Sequence, residues 1–359
     1  MTTACAAGSV QSSIARSRPQ IFCWRMPTCF ALYSVRKVRN SGLVELLILS
    51  GARLTTGQKY ATMRPMNEQR LCDYEGSSYR TDFWEGQGRE YEDLAERIAL
   101  RKLMPPAAGR LLDIGPGFGR LSEFYGGYDQ VILLDYSQTL LQQAQQRLGR
   151  GGRVLYVAAN FYAIPLVSAS IDTAMMVRVM HHVENVPALL GEVSRVLAPG
   201  GQYILEFANK RNLKAILRHT LGRQDWSPFD RAPYEFVEMN YDFHPTWMGE
   251  RLREAGFHVQ RQRTASHFRM APLKRLFPAK WLAAADGLCQ PTGAWWQLTP
   301  SVFVQNRIEK AGTRATSELF RCLSCNSDDL TETSEAMICE NCGQRWPIED
   351  GIYNFKTPL

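Results

Sequence analysis

The run Asp113-Ile114-Gly115-Pro116-Gly117-Phe118-Gly119 constrains this chain more than any other feature. It follows Arg110–Ile114, a short apolar stretch of strand character, and leads into residues 119–125, which read as a helix closed by Gly126-Gly127. Strand, glycine turn and helix start together bring backbone N–H groups and a positive helix end up to a ligand. Val131–Asp135, Val154–Ala159, Ile171–Val179 and Tyr203–Phe207 read as further strands. Between them lie a helix from Ser137, a good N-cap, to Leu148, and one over about 185–197 ending at Pro199-Gly200-Gly201. An earlier helix, Tyr91–Leu103, stops at Pro105-Pro106. This alternation predicts an α/β fold with a doubly wound, mostly parallel sheet. Beyond Asn209 the pattern loosens into two insertions, 210–243 and 264–297, separated by a helix at Thr246–Ala255 and a strand at Phe257–Val259; Ser301–Val304 reads as the last strand.

Spacing selects the ligand. A dinucleotide fingerprint, G-x-G-x-x-G, would place its third glycine at position 120, which is Arg120. Here the third glycine comes one residue early, at Gly119, and an acid, Asp113, stands two residues before the first. A carboxylate there does not suit a pyrophosphate; it suits the cationic methionine end of S-adenosylmethionine. Asp135, at the end of the next strand, is placed to accept both hydroxyls of a ribose.

Residues 110–208 resemble the class I S-adenosylmethionine-dependent methyltransferases, in particular small-domain enzymes whose first motif is D-x-G-x-G-x-G. The likeness runs through Leu111–Leu121, Val131–Ser137, Asn160–Leu166, Ser170-Ile171-Asp172, Met180-His181-His182-Val183 and Arg195–Gly201. It implies a Rossmann-like fold in which Gly115, Gly117 and Gly119 line the amino-acid end of the cofactor. It further implies that Asp135 holds the ribose, Tyr136 flanks the adenine and Phe161 offers its backbone N–H to the ring. Asn160 stands where the family has an Asp facing the exocyclic amine, a mild departure because an amide oxygen also accepts a hydrogen bond.

Methyl transfer is an in-line displacement that rests on positioning and needs a general base only when the nucleophile arrives protonated. His182, beside His181 after the fourth strand, is the candidate base; Arg178, Tyr79 and His244 are candidate pocket residues. The Asn/Asp-Pro-Pro-aromatic signature of amine methylation is absent at this place. In the insertions Arg211, Lys214, Arg218, Arg223, Arg269, Lys274 and Arg275 interleave with Trp226, Phe229, Trp281, Trp295 and Trp296. They read either as a substrate clamp or as a solvated cover over the sheet.

Cys322-x2-Cys325 and Cys339-x2-Cys342, with thirteen residues between the two pairs, have the spacing of a tetrahedral four-thiolate zinc site. Such a site has no open position, so its zinc is structural; rubredoxin-like iron would use the same ligands. The tail resembles the zinc-ribbon activator subunits of tRNA and release-factor methyltransferases, carrying Trp346-Pro347-Ile348 and Asp350-Gly351-Ile352 where they read tyrosine-Pro-Ile and acid-Gly-Ile.

The organisation expected is a leader at 1–62, a methyltransferase domain at 63–308, a linker at 309–318 and a zinc ribbon at 319–359. The leader is read as disordered or non-native, with Met63 or Met66 as the natural start, or as an Arg- and Ser-rich transit peptide. It holds eight Lys and Arg against one acid, out of 42 basic and 35 acidic residues in all. Subtraction leaves 34 of each, so the body is formally neutral, which argues against nucleic acid as a global partner. No apolar run approaches the ~20 residues of a membrane span. Nine cysteines without a regular framework point to a reducing, cytoplasmic compartment. The function expected is methylation of a small-molecule acceptor; alternatives are RNA or a translation protein as acceptor, and a non-catalytic scaffold.

Overall fold

The computed structural model describes residues 70–77, 79–84, 86–315 and 318–359; the leader at 1–62 lies outside the described residues. In chain order the first half contains α1 (Tyr79–Phe83), α2 (Glu90–Leu103), β1 (Arg110–Ile114), β2 (Gln130–Asp135), α3 (Gln138–Leu148), β3 (Val154–Ala158), β4 (Ile171–Met176), α4 (Val186–Val196) and β5 (Leu197–Ala208). Strands β1 to β5 are mutually parallel in the spatial order 3-2-1-4-5. Their near-continuous apolar sequences follow from burial on both faces; Leu111, Leu112, Ile114 and Val131–Leu133 are fully buried. The order reverses at β1, which opens a crevice at the carboxyl ends of β1 and β4.

Local chemistry explains the helices. Ser137 caps α3 by accepting from the Leu140 amide at 3.3 Å, and Asn185 caps α4 through Ala188 at 3.1 Å. Helix α4 then buries Val186, Leu189, Leu190, Val193 and Val196, one stripe at helical spacing. The helix expected over 119–125 is instead a loop with one 3-10 turn, Ser122–Tyr125. Tyr125 is turned inward to reach Asp113, which a regular helix from Gly119 would not allow.

The second half adds α5 (Leu213–Thr220), the hairpin β6 (Tyr234–Val237) and β7 (Asn240–Asp242), α6 (Pro245–Glu254), β8 (Phe257–Ala265), α7 (Ala271–Leu276), α8 (Ala279–Cys289) and β9 (Ser301–Ile308). Strand β9 lies antiparallel to β5, and β8 antiparallel to β9. The last strand is longer than its apolar start suggests because its polar half is paired: Asn306, fully buried, donates to the Tyr203 carbonyl at 3.1 Å. No helix among the described residues is long and apolar enough to cross a membrane.

The tail forms β10 (Leu330–Glu332), β11 (Ala336–Cys339), β12 (Arg345–Glu349) and β13 (Ile352–Asn354), an antiparallel meander. Its last strand pairs in parallel with β3, Ile352 opposite Tyr156 and Asn354 opposite Ala158. The tail thereby completes a sheet of 11 strands. Phe320 packs on Tyr353 and Phe355 with ring centroids 4.8 and 5.4 Å apart, and its neighbours belong to the main core. Phe320→Ala is expected to cost about 3–5 kcal/mol, the usual range for an aromatic deleted from a core. Thermal unfolding measures the cost, and hydrogen exchange should show faster exchange in β13 and β3 together; exchange confined to β13 would contradict a shared core.

Candidate active site

A cavity open to solvent sits at the carboxyl ends of β1, β2 and β4. Of the residues singled out above, Asp113, Gly115, Gly117, Asp135, Tyr136, Phe161, Arg178, His182 and Tyr79 line it. Gly115 and Gly117 have φ of 71° and 56°, backbone that side-chain-bearing residues rarely adopt. A Cβ on Gly115 would lie 2.3 Å from Val179 Cγ2, so this turn has no room for one.

Asp113 is buried, and its Oδ2 accepts the Tyr125 hydroxyl at 2.6 Å. Burial pushes its carboxyl up to about 7; the Tyr125 hydrogen bond and the Arg120 charge only partly oppose this. Burial also lifts Asp135, to about 6, against the Ser137 and Gly117 amides, which donate to it at 3.0 and 3.1 Å. Two carboxylates raised toward neutrality at one cavity suit a ligand that brings positive charge and hydroxyl donors.

Three expected residues stand apart from the lining. Gly119 faces α3, where a Cβ would press within 3.3 Å of Leu148. The Asn160 side-chain oxygen is taken by the Tyr162 amide at 2.8 Å. His244 caps α6, accepting from Thr246 at 3.2 Å. His181 lies against His182 with ring centroids 4.0 Å apart, and burial, then His182 and Arg178, hold it well below the usual imidazole range.

Sequence reasoning missed the cover. Cys72, Tyr74 and Trp84, from the segment ahead of α2, also line the cavity. Arg70 pins that segment to Glu184 at 3.2 Å and to the Tyr241 hydroxyl at 2.8 Å. Glu75 pins it to the start of α3 through the Gln138 and Thr139 amides at 2.8 and 3.1 Å. Tyr74 meets His182 Nε2 at 2.9 Å, while His182 Nδ1 lies 2.8 Å from the Met239 carbonyl. A carbonyl only accepts, so the proton sits on Nδ1 and Nε2 accepts from Tyr74. Burial lowers the His182 pKa, keeping the ring neutral.

Two arginines reach the cavity. Arg178 adopts φ 65°, a strained geometry for a non-glycine, and its Nε donates to Glu96 Oε1 at 2.7 Å. Arg120 donates to the other Glu96 oxygen at 2.9 Å and stacks 3.8 Å above the Trp84 ring. Both cations share one fully buried carboxylate.

The tail's four sulfurs, on Cys322, Cys325, Cys339 and Cys342, all lie within 4.8 Å of one another. Sulfur pairs at 3.5 and 3.7 Å match the edge of a tetrahedron with metal–sulfur bonds of ~2.3 Å. Lys356 links the tail to the cavity wall, with Nζ 4.9 Å from the Tyr136 ring centre and 3.8 Å from Glu75.

A parallel sheet with a glycine loop and two raised carboxylates at its switch point defines an α/β enzyme built to hold a nucleotide-like cofactor. Residues 112–205 match the family described as a methyltransferase domain. A ubiquinone/menaquinone biosynthesis C-methyltransferase, UbiE of Syntrophotalea carbinolica, is 30% identical over 179 residues, covering 46% of this chain and 75% of the relative. A malonyl-[acyl-carrier protein] O-methyltransferase of Gallionella capsiferriformans is 30% identical over 174 residues, 46% of this chain and 55% of the relative. A solved S-adenosylmethionine-dependent methyltransferase from Mesorhizobium loti aligns over 60% of this chain and 99% of its own, with TM-score 0.43 and 20% identity. The chain belongs to the S-adenosylmethionine-dependent methyltransferases.

The raised carboxyl of Asp113 has a stability signature. Its folded pKa of about 7 exceeds the 3.8 of an unperturbed group, so the neutral acid's contribution is whole below pH ~4 and is lost as pH rises through ~7. Above pH 7 the ionised group costs up to roughly 4 kcal/mol, at 1.36 kcal/mol per unit. Asp113→Asn, which still accepts from Tyr125, should therefore be more stable than the parent at pH 8, with the gap closing toward pH 4. Urea unfolding across this range checks it; parallel stability curves for the two proteins would show that Asp113 is not raised.

Proposed function

We propose that this chain methylates a small molecule bearing a hydroxylated aromatic ring, with His182 as general base acting through Tyr74. The observation carrying the reading is the relay from Tyr74 to His182 to the Met239 carbonyl at the cavity wall. S-adenosylmethionine supplies an electrophilic methyl on a sulfonium sulfur. Asp113, Gly115 and Gly117 hold its amino-acid end, with Gly119 shaping the loop from behind. Asp135 takes the ribose, Tyr136 and Phe161 the adenine, and Asn160 sets the turn that presents Phe161. An acceptor hydroxyl donates to the Tyr74 oxygen while Tyr74 donates to His182 Nε2, which draws the proton inward and makes the ring more nucleophilic. The aromatic cover of Tyr74, Tyr79 and Trp84 suits a planar ring.

UbiE's printed name supports a ring-carbon acceptor. A carboxylate acceptor, as the malonyl relative's name describes, would want a free guanidinium, and both arginines lining the cavity are committed to Glu96. The same neutralisation disfavours RNA as acceptor.

We further read 63–308 as the catalytic domain, 309–318 as a linker and 319–359 as a zinc ribbon. Cys322, Cys325, Cys339 and Cys342 would hold a structural Zn²⁺ as thiolates, consistent with a reducing, cytoplasmic setting. Metal analysis of protein purified without chelator should find one zinc per chain, lost in Cys325→Ser; metal-free wild type would remove this reading.

For the cavity, calorimetry should show S-adenosylmethionine binding abolished in Asp113→Ala and Asp135→Ala. Wild-type affinity should weaken below pH ~7 as Asp113 gains its proton. Binding unchanged in both variants would refute the cofactor assignment. His182→Ala should lower kcat about 10²–10⁴-fold on phenolic and quinol acceptors with cofactor affinity retained. A loss of cofactor affinity without a fall in kcat would instead make His182 a binding residue.

A further inference from the structure

Both insertions leave the sheet at one edge. Ser301 of β9 is in register with Ala208, the last residue of β5, and with Ala265, the last residue of β8. That edge is the carboxyl end of the parallel strands, where the cavity opens. The helices that follow face the wrong way for a globular cover. Helix α5 buries only Ala215, while Leu213, Leu217 and Leu221, spaced four apart, point outward at 50, 52 and 64% exposure. Helix α8 buries Leu282 and Ala283 on one side yet exposes Trp281 and Leu288, at 69 and 84%, on the other. A helix apolar on both sides is ordinarily enclosed.

Trp295 and Trp296, which follow α8 through the turn at Gln290–Ala294, are exposed at 74 and 69%. They are tied to α5, because the Leu213 amide donates to the Leu298 carbonyl at 2.7 Å and Asn209 donates to the Gln297 carbonyl at 2.9 Å. Leu276 and Phe277, exposed at the end of α7, lie just ahead of α8. The charge is one-sided. Residues 210–224 contain five Lys or Arg and no acid, and 267–285 contain four and no acid, in a body whose charges balance only when these are counted. Lys214, Arg218, Arg223, Arg275 and Lys280 are exposed, and none makes an ion pair among the described residues.

We propose that α5, α8 and the Trp295–Leu298 segment form a docking surface for an anionic lipid bilayer, on which the carboxyl edge of the sheet is seated. Outward leucines enter the acyl boundary, tryptophans sit at headgroup depth, and the flanking cations meet lipid phosphates. An RNA or a folded protein would use the cations but would leave the leucine stripe without a role. Docking goes beyond the acceptor reading and does not depend on it.

The test is flotation of the full chain with vesicles of phosphatidylcholine alone, or carrying about 30% phosphatidylglycerol, whose negative surface attracts basic segments. Binding to the anionic vesicles is expected to exceed that to the neutral ones about tenfold and to fall when salt rises from about 0.1 M to 0.5 M. Brominated phosphatidylcholine should quench tryptophan fluorescence in the wild type and much less in a Trp281→Ser, Trp295→Ser, Trp296→Ser variant. Leu217→Glu and Leu221→Glu should each reduce flotation about tenfold. All variants touch exposed residues outside the cavity, so unchanged thermal unfolding and S-adenosylmethionine binding establish that they fold. Absence of flotation with anionic vesicles would overturn the proposal. So would a dimer in sedimentation velocity that Leu217→Glu converts to monomer, since the surface would then be an interface between copies.

Discussion

One carboxylate held out of water, Asp113, organises much of this structure. Its burial at the end of a parallel strand is costly, since the nearest full countercharge, Arg120, is engaged elsewhere. The fold meets part of that cost with Tyr125, which is why the segment after the glycine loop makes one tight turn inward instead of a helix. Arg120 is held by Asp93 and Glu96 on α2 and lies against Trp84. Glu96 in turn fixes Arg178, whose left-handed backbone ends the run of β4 toward the cavity. A ligand that supplies positive charge beside Asp113 offsets that desolvation.

What the sequence disclosed follows from how local each determinant is. The parallel strands, the cap at Ser137 and the pair Asp113 and Asp135 depend on neighbours within a few residues, so spacing reveals them. The partners of these groups do not. Tyr74 and His182 are 108 residues apart, and the segment carrying Tyr74 has no periodic signature. Gly119 looks like a loop glycine until α3 is in place and Leu148 claims the space beside it. Asn160 could have been read better, because an Asn hydrogen-bonded to the amide two residues on is a local turn device. The polar half of β9 was hidden for the opposite reason: its backbone pairs with β5 and the Asn306 amide donates to the Tyr203 carbonyl, and burial of such groups is invisible without the partner strand.

The tail's cysteines are distant from the cavity in sequence, but the sheet makes them neighbours in mechanics. Parallel pairing with β3 places β13 beside the strand that leads to Asn160 and Phe161. Lys356 then spans two elements that share no strand, the Tyr136 ring at the end of β2 and Glu75 of the cover. Glu75 already binds the first amides of α3, where the helix dipole favours a carboxylate. Cover, the Tyr136 side of the cavity and tail therefore converge on one short stretch, so the structural zinc proposed for the four thiolates would stiffen that wall of the cavity along with the meander.

The arrangement of charge at the carboxyl edge separates two tasks. Inside the cavity the guanidinium groups are neutralised by a buried glutamate, and the imidazole is held neutral with its tautomer set by a backbone carbonyl. Such an interior suits the uncharged acceptor and the proton relay proposed above. Outside, on the insertions of the same edge, cations are left without partners among the described residues and stand beside exposed leucine and tryptophan. A cavity that needs no free charge can leave those cations to the surface around it, where long-range attraction is worth most. On the two proposals made above, acceptor recognition and surface docking fall to different residues: the cavity lining for the one, and the exposed faces of α5, α8 and the Trp295–Leu298 segment for the other.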